Sequence, residues 1–363
     1  MYENELLALQ KSNRYRKREI YDEELLDLAS NDYLGFAQDK ELFEKAVKNV
    51  SKYKYHAPKA SQLVNGYHQI HHQFEQYLCQ INDFEDAIVV GSGFLANLSL
   101  IEALPRKKDL LILDEYYHAS GILASRLVKS EVVFFKHNDA TDLERILKTN
   151  SYKRAIVAVE GIYSMIGDLL EKKIFNVADK YQALLIVDEA HSSGVLGEKL
   201  LGIFDHYKIK PQKNHIKMGT LGKAMGSYGA YILASNEIIS FLQNRAKAII
   251  YATAPSVFDT ALALQAFKKT QTKTNQLSIA LQTRINTAQE IFNQELFSPI
   301  LTIDMTNSSK AMRMKELVKE KGFLIGAIRP PTVKTPILRI ILRLGVDVEK
   351  IREILYVIKE NHV

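Results

Sequence analysis

Tryptophan is absent from the 363 residues, cysteine occurs once, at Cys79, and proline only eight times. A single thiol excludes an internal disulfide and a thiolate metal cluster. Within "HHQFEQYLCQI", a helical pattern, Cys79 reads as a small core residue. Also missing is any apolar run near the length of a membrane span. The opening residues, "MYENELLALQKSNRYRKRE", begin with acids and lack the hydrophobic stretch of a signal peptide. The expectation is a cytoplasmic protein with no membrane partner.

No charge of one sign dominates any region: 48 Lys and Arg face 42 Asp and Glu, leaving a net +6. Only "NRYRKRE" is locally dense, and it reads as a solvated basic turn, so no nucleic-acid partner is expected. A mildly basic surface would also suit an acidic partner such as coenzyme A or an acyl carrier protein. The length is that of about two domains.

Several motif absences narrow the chemistry. "LLIVDEAHSSG" ends a buried strand in Asp188-Glu189-Ala190-His191, letters that suggest a nucleotide-driven helicase. Such an enzyme needs a phosphate loop GxxxxGK followed by Ser or Thr, and the one Gly-Lys, Gly222-Lys223, is followed by Ala224. A serine hydrolase would need G-x-S-x-G at a strand-to-helix elbow, and neither "GSG" nor "YSMIG" has that spacing. "HQIHH" puts His68, His71 and His72 on one helical face, but without an obvious carboxylate partner it reads as a polar helix surface and not as a zinc site.

Between residues 85 and 235, short Val-, Ile- and Leu-rich runs alternate with helical stretches: "DAIVV", "DLLILD", "EVVFFK", "RAIVAVE", "ALLIVDE" and "AYILAS". Continuous apolar strands separated by amphipathic helices indicate a mostly parallel sheet covered on both faces, whose ligands sit beyond the carboxyl ends of the strands. After residue 255 the pattern changes to long helices and then "PILRIILRL", a smaller α+β domain. The expected division is an N-terminal segment 1–35, a large domain 36–255 and a small domain 256–363.

"IVVGSGFLANL" reads as a strand, a Gly-Ser-Gly turn and a helix, and Asp114 ends the next strand about twenty residues on. This G-x-G-x-x-A pattern keeps a nicotinamide oxidoreductase open. Under either reading, the free N–H groups of Gly93 and Phe94 at a helix start make an anion site that suits a phosphate. Lys223 sits in "KMGTLGKAMGSYGAYILAS", bracketed by Gly219, Gly222, Gly226 and Gly229. A phosphate grip, a strand-tip aspartate and a loop lysine are what a pyridoxal 5'-phosphate site requires.

The chain resembles the α-oxoamine synthase family of fold type I pyridoxal phosphate enzymes. The resemblance rests on "SNDYLGF", "LVNGYHQIHHQFE", "GSGFLANLSLIEAL", "DEYYHASGILASR", "KHND", "VEGIYSMIGDL", "IVDEAHSSGVLGE", "GTLGKAMGSYGAY" and "AIRPPTV", in that order. It implies a homodimeric acyltransferase that condenses an amino acid with an acyl thioester and loses carbon dioxide. "IRPPTV" and the "LVNGYHQIHHQFE" run point to the member that takes L-alanine and pimeloyl-CoA or pimeloyl-acyl carrier protein toward biotin; sister members take glycine or serine with other acyl groups. Two further readings are a nicotinamide dehydrogenase and a catalytically silent dimerising relative.

By this resemblance Lys223 carries the cofactor, Asp188 pairs with its ring nitrogen, His191 bonds its phenolic oxygen and His118 stacks over the ring. Ser164 lies near the ring oxygen, and Gly93, Phe94 and Thr220 hold the phosphate. Thr253 reaches the phosphate of the neighbouring subunit. Arg339 pairs with the amino acid carboxylate, with Thr332 nearby. Glu189 matches no family role and reads as a structural salt bridge; Tyr33, like Phe94 in its ring, reads as packing. Three features depart from the family pattern: Gln62 where arginine is frequent, "APSV" in place of a double proline, and a short N-terminal part.

Overall fold

The computed structural model describes residues 1–12 and 14–362. The first elements are α1 (Glu3–Lys11), β1 (Leu26–Asp27), α2 (Lys40–Val50), α3 (Gln69–Asn82), β2 (Asp86–Val90) and α4 (Gly93–Ala103). An alternating run follows: β3 (Leu110–Asp114), α5 (Ala119–Ser125), β4 (Glu131–Phe135), α6 (Ala140–Thr149), β5 (Ala155–Glu160), α7 (Lys173–Lys180) and β6 (Leu184–Asp188). Next come α8 (Ile203–His206), β7 (His215–Thr220), β8 (Ala230–Ala234), α9 (Asn236–Arg245), α10 (Lys247–Ile250), α11 (Val257–Thr272) and α12 (Thr274–Phe292). The chain closes with β9 (Ile300–Asp304), α13 (Ser308–Glu320), β10 (Phe323–Leu324), β11 (Gly326–Ile328), β12 (Ile337–Ile341) and α14 (Val348–Asn361).

The chain divides into a larger unit, 31–164 and 168–280, and a smaller one, 1–30, 165–167 and 281–363. The larger unit carries a seven-stranded sheet in the order β2-β8-β7-β6-β5-β3-β4. Within it β8 runs against both neighbours and the other pairings are parallel. Every residue of β3 and β5 is buried, as strands covered on both faces must be. On one face, Leu111, Leu113, Ile156, Ala158, Ile186 and Ile216 form a continuous apolar cluster with residues of α4, α5, α9 and α10.

Six strands of this sheet coincide with the apolar runs of the sequence. The seventh, β7, is hidden because His215 and Lys217 interrupt its hydrophobicity, yet both are buried. Lys217 is accommodated there by donating to Asn82 Oδ1 at 2.8 Å and to the Leu201 carbonyl.

The unit change at 281 falls later than the expected 256, because α11 packs against α2 and α3 and stays with the larger unit. The expected N-terminal segment, 1–35, divides after Ser30, and residues from Asn31 onward belong to the larger unit. In the smaller unit β1 pairs in parallel with β10, and β11, β12 and β9 form an antiparallel sheet in that order. Leu301, Leu338, Ile340, Ile351 and Leu355 lie in its core.

Two expectations about helix α3 are corrected. His71 is fully buried, bonded to the Pro255 carbonyl at 2.9 Å and accepting from the His68 amide at 3.0 Å, so His68 and His71 cap the helix and only His72 lies on its exposed surface. Burial pushes its imidazole down to about 4. Cys79 is half-buried, and burial, aided by Asp86 and Glu75, pushes its thiol up to about 12, well away from reactivity.

Gln62, one of the departures from the family pattern, donates to the Val89 carbonyl at 2.7 Å, while the Val89 amide donates to Glu75 at 2.9 Å. The outermost strand of the sheet is thus blunted by side chains at its open edge. Among the described residues no helix is long and apolar enough to cross a membrane.

Candidate active site

The unusual residues collect at the carboxyl ends of β5, β6 and β7 and at the start of α4. Asp188 closes β6 with 4% of its surface exposed. Such a carboxylate stays charged only if donors surround it. Asn97 Nδ2, from α4, donates to Asp188 Oδ2 at 2.9 Å, and the Ala190 amide donates to Oδ1 at 3.0 Å. Asn97 is in turn held by the Tyr117 hydroxyl at 2.5 Å and by Ser120 at 3.0 Å. Neither Asn97 nor this network is apparent in the sequence; the one signal was an amide among the mostly apolar residues of "GFLANLSLIEA".

Three residues beyond Asp188, the buried His191 is bonded through both ring nitrogens. Its Nδ1 lies 2.7 Å from the Tyr33 hydroxyl, and its Nε2 lies 2.7 Å from Lys223 Nζ. Tyr33 is therefore more than the packing residue expected, because its phenol fixes the ring that meets the lysine. The "NDYLGF" segment reaches this position through a close backbone contact. Gly226 adopts φ +57°, and a Cβ there would lie 2.5 Å from the Phe36 carbonyl carbon, so only glycine fits. Lys223, half-buried in the same glycine loop, is thereby brought to His191.

Glu189 is buried between these residues but faces elsewhere. It accepts from the Ile203 amide at 2.8 Å and from Ser192, with Lys217 Nζ 3.8 Å away. The expected salt bridge is present and is the longest of these contacts; backbone capping is the main use of this carboxylate.

The anion cradle forms at the start of α4. Ser92 Oγ accepts from the Leu95 amide at 3.2 Å, and the amides of Gly93 and Phe94, first in the helix, have no carbonyl a turn earlier to bond. Thr220 is adjacent: a Cβ on Gly93 would lie 3.8 Å from its hydroxyl oxygen. The phenyl ring of Phe94 is exposed, so its packing expectation is not met.

His118 caps α5 and shares a 2.6 Å hydrogen bond with Ser120 Oγ, which ties it to the Asn97 network. Its imidazole is held below the usual histidine value by desolvation and by the Lys223 charge, with Asp188 pulling the other way. Ser164 is buried, and its amide donates to Glu160 at 3.3 Å. Thr253 is exposed in the loop between α10 and α11. The two remaining expected residues lie in the smaller unit: Arg339 is buried in β12, and Thr332 is exposed in the turn before it.

The donor set fits pyridoxal 5'-phosphate on its chemistry. It provides an amine able to bond an aldehyde, a buried and well-solvated aspartate for a pyridinium nitrogen, and helix amides with a hydroxyl for a phosphate. Among the described residues no group of three His, Cys, Asp or Glu side chains is arranged to hold a metal ion.

The sequence matches the family described as aminotransferase class I and II over residues 23–358. An 8-amino-7-oxononanoate synthase of Helicobacter pylori is 41% identical over 356 residues, spanning 98% of this chain and 95% of the relative. Among solved structures, the 8-amino-7-oxononanoate synthase of Francisella tularensis aligns with a TM-score of 0.78 at 28% identity, covering 94% of this chain and all of that one. A serine palmitoyltransferase from S. paucimobilis aligns with a TM-score of 0.90 over 99% of this chain and 97% of its own, and at 22% identity that likeness concerns the fold.

Proposed function

The chain belongs to the aminotransferase class I and II family, and from that premise we propose that it is a pyridoxal-phosphate-dependent acyltransferase of biotin biosynthesis. It joins L-alanine to a pimeloyl thioester, carried by coenzyme A or an acyl carrier protein, to give 8-amino-7-oxononanoate. A carbon–carbon bond forms between the alanine α-carbon and the thioester carbonyl, the thiol departs, and the alanine carboxylate leaves as carbon dioxide. The observation that carries the chemistry is the chain Tyr33–His191–Lys223 beside the buried Asp188; the product is that in the name of the Helicobacter relative, and the substrate pair rests on the family resemblance of "IRPPTV" and "LVNGYHQIHHQFE".

Lys223, Asp188, His191, His118 and Ser164 would hold the cofactor ring, and the Gly93 and Phe94 amides with Thr220 would hold its phosphate. When bound, pyridoxal phosphate supplies an electron-accepting ring that stabilises negative charge at the amino acid α-carbon. The protein's own part begins at Lys223 Nζ, which takes the α-proton once freed as an amine. His191, held by Tyr33, fixes the position of that nitrogen. Asp188 supplies a fixed negative charge that needs no reorganisation during reaction, because Asn97 and the Ala190 amide already solvate it.

Arg339 would pair with the amino acid carboxylate through its planar guanidinium, with Thr332 close to the substrate. The protein acts as a homodimer, with Thr253 contributed to the phosphate of the neighbouring subunit. Purified protein assayed with alanine, glycine and serine against pimeloyl, acetyl and palmitoyl thioesters tests the substrate pair. Alanine with the pimeloyl thioester is expected to turn over fastest; glycine with acetyl-CoA outrunning it would overturn the biotin assignment.

A further inference from the structure

Glu160 has no part in the chemistry above, yet it is 2% exposed at the carboxyl end of β5, directly across the ladder from Asp188 of β6. Alternation along the two strands sends both side chains to one face: Ile156 and Ala158 precede Glu160 there, and Ile186 precedes Asp188. Two carboxyl groups in adjoining register, both out of water, cannot both be ionised without a large cost.

The hydrogen bonds say which one keeps the charge. Asp188 accepts from Asn97 at 2.9 Å and from the Ala190 amide at 3.0 Å, whereas Glu160 accepts from the Ser164 amide at 3.3 Å. On the other side of β5, Asp114 ends β3 and is saturated by donors: the amides of Tyr116 and Asn138 at 2.8 Å each, Tyr163 at 2.9 Å and His137 at 3.0 Å. Glu160 thus faces Asp188, a carboxylate better solvated than itself, while Asp114, beside Val159 in register, points to the other face of the sheet.

We infer that Glu160 is a positioning residue that holds a proton at neutral pH, leaving Asp188 as the ionised carboxylate of the pair and keeping a second negative charge away from Lys223. The groups that bear on Glu160 are Asp188 and Asp114, which oppose its ionisation, Lys223, which favours it, and the buried phenols Tyr117 and Tyr163. Burial is the largest influence, and with Asp188 it raises the Glu160 carboxyl well above the usual range. Were Glu160 ionised, its charge would stabilise the Lys223 ammonium and push to higher pH the point at which the amine that must take a proton becomes free. This role rests on the reading of Lys223 as the proton-moving amine; the protonation state itself does not.

Difference infrared spectroscopy of the holoenzyme against its Glu160→Gln variant separates the two. At pH 7 the native enzyme is expected to show a carboxylic-acid carbonyl band that the variant lacks. In parallel, the ascending limb of the kcat–pH profile, set by freeing of the Lys223 amine, is expected to stay in place in Glu160→Gln, because a neutral amide replaces a neutral acid. A carboxylate signal lost in place of the acid band would overturn the inference whatever the substrates prove to be. The acid band together with an ascending limb that moves to lower pH in Glu160→Gln would overturn the link to Lys223 alone. Should Glu160→Gln fail to fold, Glu160→Ala serves for the infrared difference.

Discussion

Two histidines stand just beyond the carboxyl ends of strands in the same sheet, and their surroundings give them opposite uses. His137, after β4, is gripped by Asp114 at 3.0 Å and Asp168 at 2.8 Å, and its ring stacks on Tyr116 at 4.5 Å. His191, after β6, meets a phenol and an amine. Burial alone would lower the pKa of His137, but hydrogen bonds to the two carboxylates and their charges outweigh it, lifting the ring from 6.5 to about 9. A histidine between two acids becomes a fixed cation that clamps loops together; one between Tyr33 and Lys223 is tied to the amine that the proposed reaction requires to exchange protons. The same residue type serves structure in one place and, in the proposed function, chemistry in the other, and the partners decide which.

Substitutions can break this contrast. The largest effect is expected from Asp188→Asn, which keeps the shape but removes the charge on the reactive side: kcat should fall on the order of 10²- to 10³-fold, as for loss of one preorganised electrostatic group. Unfolding free energy should change little beside that fall. Steady-state kinetics and urea unfolding of the same preparation check both; a fold-wide loss of stability with kcat preserved would reverse the roles assigned to the two regions.

His137→Gln should behave in the opposite way. Because the folded-state pKa is raised, the clamp's contribution is complete below the unfolded value of 6.5 and is lost as pH rises through about 9. Urea unfolding is expected to show the variant weaker on the order of 2 kcal/mol at pH 6, allowing for water's access to part of the ring, with the deficit closing by pH 10. A deficit that does not depend on pH would mean that the ring packs there uncharged.

Much of the fold was legible because strand and helix periods are local. The apolar runs of β2 to β6 and β8, the glycine turn before α4 and the glycine-bracketed Lys223 all announce themselves within a dozen residues. What stayed hidden depends on distant partners. Tyr33 meets His191 across 158 positions and Asn97 meets Asp188 across 91, so neither pairing leaves a local pattern. Lys217 disguised β7 because a buried lysine is rare unless its charge is satisfied, and its acceptors, Asn82 at 135 positions and the Leu201 carbonyl at 16, lie outside the strand. Glu160 was within view in "VEGIYSMIGDL", but its meaning needs the strand register that sets it against Asp188.

The account depends on Lys223 being the residue that bonds the cofactor aldehyde, and borohydride reduction followed by peptide mass mapping tests this most directly. With pyridoxal 5'-phosphate supplied, the peptide containing Lys223 should gain the mass of a reduced pyridoxyl phosphate group, and the same peptide from Lys223→Ala should not. An unmodified Lys223 in protein that has taken up the vitamin would contradict it.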